Sequence, residues 1–487
     1  MNVIVNVDGM APTPGKVVLR RAAAAIALPV MAALALGGFT APAAATTIER
    51  VVSPGGIEAW LVHEPAVPLI SVDFAFAGGA IQDPAGKAGT AALVSSLLDD
   101  GVGDFDSKTF HDRLERKAVE LGFNADRDHV RGELRTLSEN RDEAFDDLRL
   151  ALTAARFDAA DIEINRQQIM SMLRRASTSP ASIASQRWWE AAFPGHPYGR
   201  PVNGTVESLS TITGDDLKAY AHRVLARDNL KIAVVGDIDA ETLKPLLDRV
   251  FGGLPANAQL TPVAAVTPQG LDRTIRVDLD VPQSAVQFGG PGIARKDPDF
   301  MAAYIVNHIL GGGDFSSRLY QEVREKRGLV YSVYDSLVWL DHTAVFLGST
   351  ATRADRTDET VDLVEQEIHR LAEQGPTADE LAKAKAYLNS SFVLSLDTSS
   401  KIAGMLVQLQ LDDLGVDYFQ RRADMINAVT LADGQRVAKR LLDNGLLVSV
   451  VGRPQGVASN SPESSGAPAH SPMAGGGISN QMPGELR

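Results

Sequence analysis

Apolar positions along this chain recur either at every second residue over short runs or at helical spacing over longer ones. Residues 57–63 and 69–76 are β-branched or alternating and bounded by Pro and Gly, which predicts strands. Gly78-Gly79 and Asp83-Pro84 mark turns. Residues 85–98 (AGKAGTAALVSSLL) predict a small-residue and leucine helix stopped by Gly101 and Gly103, and residues 107–121 predict a second, amphipathic helix. Residues 129–137 alternate as a strand, 142–156 and 159–175 carry helical stripes, and 194–204 (PGHPYGRPVNG) read as a turn-rich loop. A helix over 215–225, an apolar strand over 230–235 and a helix over 240–251 complete this half.

Residues 254–270 (LPANAQLTPVAAVTPQG) are rich in Pro, Ala and Thr and predict an extended linker. Beyond it the order recurs: Ser71, Asp83-Pro84 and Gly101 find counterparts at Ser284, Asp297-Pro298 and Gly311, offsets of 210 to 214 residues by subtraction. Such long-period self-similarity predicts duplicated α+β domains. Strands over 329–339 and 344–349 follow, then helices over 356–373, 378–395, 399–411, 417–429 and 431–442, and a closing strand over 446–451. Helices collected beside antiparallel strands favour α+β over a doubly wound sheet. Trp188-Trp189 in a helical region reads as core and interface packing.

At 487 residues the chain has room for roughly two to four domains. Its 45% hydrophobic and 22% charged residues predict a globular core rather than disorder. A formal charge of −14 disfavours nucleic acid and suits basic or polar peptides. The absence of cysteine excludes disulfides, thiolate metal sites and a cysteine nucleophile. Lys16, Arg20 and Arg21, an apolar run over 22–38 and Ala43-Ala44-Ala45 compose a secretory signal, so residues 1–45 are expected to be removed, with export to a bacterial periplasm and no stable membrane span afterwards. Residues 454–487 lack apolar periodicity and predict a disordered tail.

The chemistry concentrates in residues 311–334 (GGGDFSSRLYQEVREKRGLVYSVY). Gly311, Gly312 and Gly313 end one helix, and Asp314 is expected to cap the next. Phe315, Leu319 and Val323 give that helix its apolar stripe, and Gly328 is placed to stop it in the left-handed conformation. The strand that follows should carry Leu329, Tyr331 and Val333 on one face. Arg324 is thereby delivered near Tyr331, and a guanidinium fork and a phenol beside a glycine loop can hold a peptide carbonyl or carboxylate. No two of the nine histidines fall within one or two helical turns of each other, so no local zinc motif is present.

This stretch resembles the second half of the pitrilysin/insulinase metallopeptidase family, which includes the mitochondrial processing peptidases. There a glycine-rich loop precedes a helix ending in Arg, with Tyr seven residues on, and Arg324 and Tyr331 match that substrate-binding pair. The runs AFPGHPYGRPVNGTVESLSTIT and DNLKIAVVGDID are similar to the family's first half. Catalytic members carry the inverted zinc motif His-x-x-Glu-His on the first small-residue helix and a further Glu on a later one. Aligned on Gly89 and Ala91, those positions are Ala92, Ser95, Ser96 and Met172 here, a degenerate set that cannot hold zinc.

The resemblance covers about residues 48–453 and implies two similar pitrilysin-like α+β domains, each an antiparallel sheet with helices packed on it, in a clamshell arrangement. The expected boundaries are a first domain over 46–253, a linker over 254–270 and a second domain over 271–453. It implies a non-catalytic chain without metal or catalytic residues of its own. Gly311, Gly312, Gly313, Arg324 and Tyr331 would bind peptide substrate for a homologous partner subunit that carries zinc. The alternative is a peptide-binding or scaffold protein of the cell envelope with no proteolytic role.

Overall fold

The computed structural model describes residues 47–453; the expected leader and tail lie outside the described residues. Strands β1 (Glu49–Val52), β2 (Glu58–His63), β3 (Leu69–Ala77), β4 (Glu120–Ala125), β5 (His129–Leu137) and β6 (Leu230–Gly236) form one sheet in the order β1-β2-β6-β3-β5-β4. Strands β7 (Arg273–Asp278), β8 (Gln283–Pro291), β9 (Val330–Leu340), β10 (Thr343–Arg353) and β11 (Leu447–Gly452) form the second, ordered β7-β11-β8-β10-β9. The two orders coincide once β1 is set aside, so the duplication and the α+β class expected from the sequence are present. The sheets are not purely antiparallel. β2 pairs parallel with β6, and β7 with β11, because the last strand of each half returns through a long helical connection to lie beside one of its earliest strands.

Each sheet borrows a helix from the other half. The Pro180–Ala192 helix packs on β8 and β11, and the Ser399–Leu411 helix packs on β3 and β6. Both start at a hydroxyl cap, Ser179 accepting from the Ser182 amide and Thr398 from the Lys401 amide, so orphan donors at each helix start are satisfied. The exchange is bonded in both directions: Trp188 Nε1 donates to the Leu447 carbonyl at 2.9 Å, and Gln410 Nε2 donates to the Ile232 carbonyl at 2.9 Å. Trp60, Val62 and Val235 of the first sheet share one core with Phe288, Leu406 and Val450. Trp188 and Trp189 are buried, as the packing reading required.

The connection from Phe251 to Arg273 contains no regular element and is tied to both halves. The Thr261 amide donates to Gln82 Oε1 at 2.8 Å, and the Val266 amide to the His342 carbonyl at 2.9 Å. A buried polar joint lies at the β9–β10 turn. Tyr198 donates to Asp128 Oδ1 at 2.7 Å and accepts from the His342 amide at 3.1 Å, while the Asp341 amide donates to Asp128 Oδ2 at 2.9 Å.

Three local expectations are corrected. The small-residue helix is only Thr90–Ser95, because residues 85–88 turn and Gly89 enters with φ +94°. The next helix stops at Arg116, and residues 120–125 become the edge strand β4, where pairing with β5 outweighs helical propensity. Asp314 does not cap. It takes φ +44° in a 3₁₀ turn, leaving Phe315 exposed, while Leu319 and Val323 are buried as expected.

Candidate functional site

The buried helix Phe300–Asn307 runs into a π-helical turn, His308–Gly312, whose glycines are demanded by crowding. A β-carbon on Gly311 would lie 2.8 Å from Asp335 Cγ, one on Gly312 2.7 Å from Asn307 Nδ2, and one on Gly313 2.6 Å from the His308 carbonyl. The chain then reverses and enters a second π-helical segment, Tyr320–Glu325, which carries Arg324. Lys326 and Arg327 turn back onto Glu322 at 2.6 and 2.9 Å, and these bonds hold its carboxyl down at about 2. They are structural, which singles out Arg324 in this charged run. Gly328 takes φ +59° and ends the segment where the sequence placed the stop.

Arg324 Nε donates to the Tyr331 carbonyl at 3.1 Å. Its guanidinium lies 4.7 Å from the Tyr320 ring centroid and 6.0 Å from that of Tyr331, and it pairs with Glu325. Arginine and tyrosine are thus brought together, with Tyr331 82% exposed. The expected strand faces are not kept. Thr350 opposes Val333 and Thr352 opposes Val330, so Tyr331 and Ser332 together face one residue of β10. This bulge turns Tyr331 outward while Val333 stays buried.

Gly311, Gly312, Tyr320, Arg324 and Tyr331 border one cavity of about 280 Å³, closed further by Phe315, Tyr334 and Asp335. The sequence reading missed these last contributors to the wall. The signal for Asp335 was available: it is a lone acid in a strand between the apolar positions Val333 and Leu337. Burial holds its carboxyl well above the usual carboxylate range, although the Gly311 and Gly312 amides work the other way. Nearby, burial keeps His308 neutral, with its pKa pushed down to about 4, and its ring stacks on Tyr387 at 4.9 Å.

In the first half, buried Asp83 accepts from the Gly89 and Ala91 amides at 2.7 and 2.8 Å and so sets the start of the Thr90–Ser95 helix. That helix packs on the Ala159–Ala176 helix, which carries Met172. The residues at the positions corresponding to the zinc motif do not fit a metal. Ala92 offers a methyl group, Ser95 a buried hydroxyl without a partner, and Ser96 a hydroxyl already donating to the Leu93 carbonyl at 3.0 Å. Met172 is 39% exposed and supplies only a thioether. Among the described residues no group of three or more His, Asp or Glu is gathered as a metal site.

The family model for the peptidase M16 inactive domain matches residues 211–388. A peptidase M16 inactive domain from Pseudomonas fluorescens, known from its crystal structure, superposes with a TM-score of 0.79 at 25% identity, covering 85% of this chain and 100% of that one. The chain is similar to peptidase M16 inactive domains. An uncharacterized zinc protease of Streptomyces coelicolor is 27% identical over 418 residues, 83% of this chain and 90% of that protein. The Helicobacter pylori non-peptidase homolog YmxG is 26% identical over 369 residues, 75% of this chain and 85% of that protein. Relatives of similar identity are thus named both zinc protease and non-peptidase homolog, so the residues themselves must decide between activities.

Proposed function

We propose that this chain is a non-catalytic subunit of a heteromeric zinc metallopeptidase of the bacterial periplasm. It binds peptide and completes the active site of a homologous partner that carries the metal. The observation that carries the reading is the exposed Tyr331 beside Arg324 at a cavity, in a chain whose zinc-motif positions are Ala92, Ser95, Ser96 and Met172. The Tyr331 hydroxyl donates to a peptide carbonyl or to the oxyanion that develops from it. Arg324, anchored through Nε on the Tyr331 carbonyl and through Nη1 on Glu325, turns its remaining terminal nitrogen to the peptide backbone and orients it. The cluster of Lys16, Arg20 and Arg21 before an apolar run supports export.

The test is a pull-down of the chain from its native periplasm, followed by peptide cleavage with and without chelator. The expected result is an inert chain that co-purifies with a His-x-x-Glu-His homologue, the pair cleaving peptides in a chelator-sensitive way. A chain recovered alone, or a pair without proteolysis, overturns the proposal and leaves a peptide-binding or scaffold protein of the envelope. Zinc bound stoichiometrically to the purified chain would overturn it in the other direction.

A further inference from the structure

Three groups hold the Arg324 guanidinium, and they are not equally firm. Nη1 pairs with Glu325, whose side chain is 47% exposed. An exposed ion pair contributes little and is screened by salt. Nε donates to the Tyr331 carbonyl at 3.1 Å, an exposed bond made to the bulged part of β9. The third is the Tyr320 ring, whose centroid lies 4.7 Å from the guanidinium carbon and which is only 6% exposed. The Tyr331 ring is farther off at 6.0 Å and stands in solvent, so it is no fixed platform.

Tyr320 is itself fixed from several sides. Buried Ser317 donates through Oγ to the Asp314 carbonyl at 2.8 Å, and the same oxygen accepts from the Tyr320 amide at 3.4 Å. The Phe315 ring meets the Tyr320 ring at 78° with centroids 5.0 Å apart. In the π-helical segment that opens at Tyr320, the Lys326 amide donates to the Gln321 carbonyl at 3.0 Å. Glu322 ties that segment to Arg370 of the Thr357–Gln374 helix at 3.5 Å. Such segments are rare and occur mostly at functional sites. A spacing of four residues puts Tyr320 and Arg324 on one face of it. A ring face attracts a guanidinium, more strongly where water is excluded, and confines it to positions over the ring.

We infer that Tyr320 is a positioning residue for Arg324, its buried ring being the platform that fixes the guanidinium for contact with the substrate backbone. The inference rests on the reading proposed above and adds the residue that sets the geometry of the Arg324–Tyr331 pair. Tyr320 acts through Arg324 and through its ring face, not through its hydroxyl. Without the ring, the guanidinium is left to two exposed contacts and spreads over the rotamers they permit.

The test uses the full chain reconstituted with its zinc-bearing partner and one internally quenched decapeptide, selected from a library by cleavage with the wild-type pair. Tyr320→Leu removes the platform. Tyr320→Phe keeps it, and phenylalanines with one, two or three ring fluorines at this position weaken it stepwise at nearly constant volume, because fluorine draws charge from the ring face. The expected result is a fall in kcat of about tenfold in Tyr320→Leu, most of it restored in Tyr320→Phe, then a graded decline to about fivefold below Tyr320→Phe at three fluorines. KM should move less than kcat, since the contact being positioned is made in the transition state. In an Arg324→Ala background the fluorine series should be flat. A series that is flat with Arg324 present, or that declines equally with alanine at 324, overturns this inference and leaves the peptidase-subunit reading standing. Failure of the wild-type pair to cleave any peptide of the library overturns that reading and the inference together.

Discussion

Asp335 lies so close to Gly311 that a β-carbon there would come within 2.8 Å of both its Cγ and its Oδ2. The neighbour is a buried acid on a central stretch of β9, not the free end of a flexible side chain, so it cannot swing away. Gly311→Ala should therefore destabilise by about 1–3 kcal/mol, the usual cost of overpacking. Gly311→Ala combined with Asp335→Ala should recover only part of that loss, because the Asp335 backbone nitrogen still stands 2.9 Å from the added carbon. Urea midpoints of the single and double variants check this, and equal destabilisation in both would show that the glycine serves the turn rather than the contact.

The pair Arg324 and Tyr331 should matter for turnover and not for metal. In a reconstituted heteromeric pair, Tyr331→Phe removes a donor aimed at the developing oxyanion, and such donors are worth about 2.7–4 kcal/mol, or roughly 10²–10³ in kcat. Arg324→Ala should lower kcat/KM by a similar order. Zinc content, read by metal analysis of the same preparations, should stay unchanged in both. Full activity in either variant would remove that residue from the site.

His129 gives the joint between the halves a pH dependence of definite sign. Its Nδ1 lies 3.6 Å from Asp126 and its Nε2 3.7 Å from Asp341, so only the doubly protonated ring offers a donor to both carboxylates. Burial opposes that charge, but Asp126 and then Asp341 outweigh it and raise the pKa above the ordinary value, with Arg131 opposing weakly. The imidazolium's contribution is thus complete below about 6.5 and is lost as the pH rises through the raised value. Asp128 acts in the same direction from lower pH, because burial and then Asp341 push it up to about 6. Thermal unfolding followed from pH 6 to pH 9 should show a fall in Tm that His129→Gln largely flattens. Parallel curves for the two proteins would assign the fall elsewhere.

Trp188 carries the helix exchange, since it is fully buried and donates across to Leu447. Trp188→Ala should cost about 3–5 kcal/mol, the usual loss for truncating a buried large aromatic. Arg187→Ala, one residue away, should stay within about 0.5 kcal/mol, because its ion pair with Glu190 is exposed. Denaturant unfolding of both variants decides whether the helix face or merely the helix is at stake.

The Arg324–Tyr331 relation was legible because everything that creates it is local. A left-handed glycine, a short helical segment and an immediate strand fix the spacing within eight residues, and Gly328 behaves as its position required. Asp314 failed as a cap because it takes a left-handed φ of +44° in a 3₁₀ turn instead of the extended backbone of a capping residue. The helix expected over 107–121 stopped short because Glu120 and Leu121 open a strand whose partner β5 is supplied by tertiary structure. Asp335 was passed over because alternation alone gives a polar residue at a core position no meaning until the glycine turn is seen against it.

The sequence by itself determined the duplication, the α+β class, the order of most elements and the residue types at the zinc-motif positions. These follow from periodicity, turn chemistry and side-chain identity, which are properties of neighbouring residues. Only the tertiary structure decided which sheet each helix covers, where the β9 bulge turns Tyr331 outward, and that Asp335 packs against Gly311 of the glycine turn. Those outcomes depend on contacts between segments far apart in the chain, where packing and the exclusion of water, not local pattern, select the arrangement.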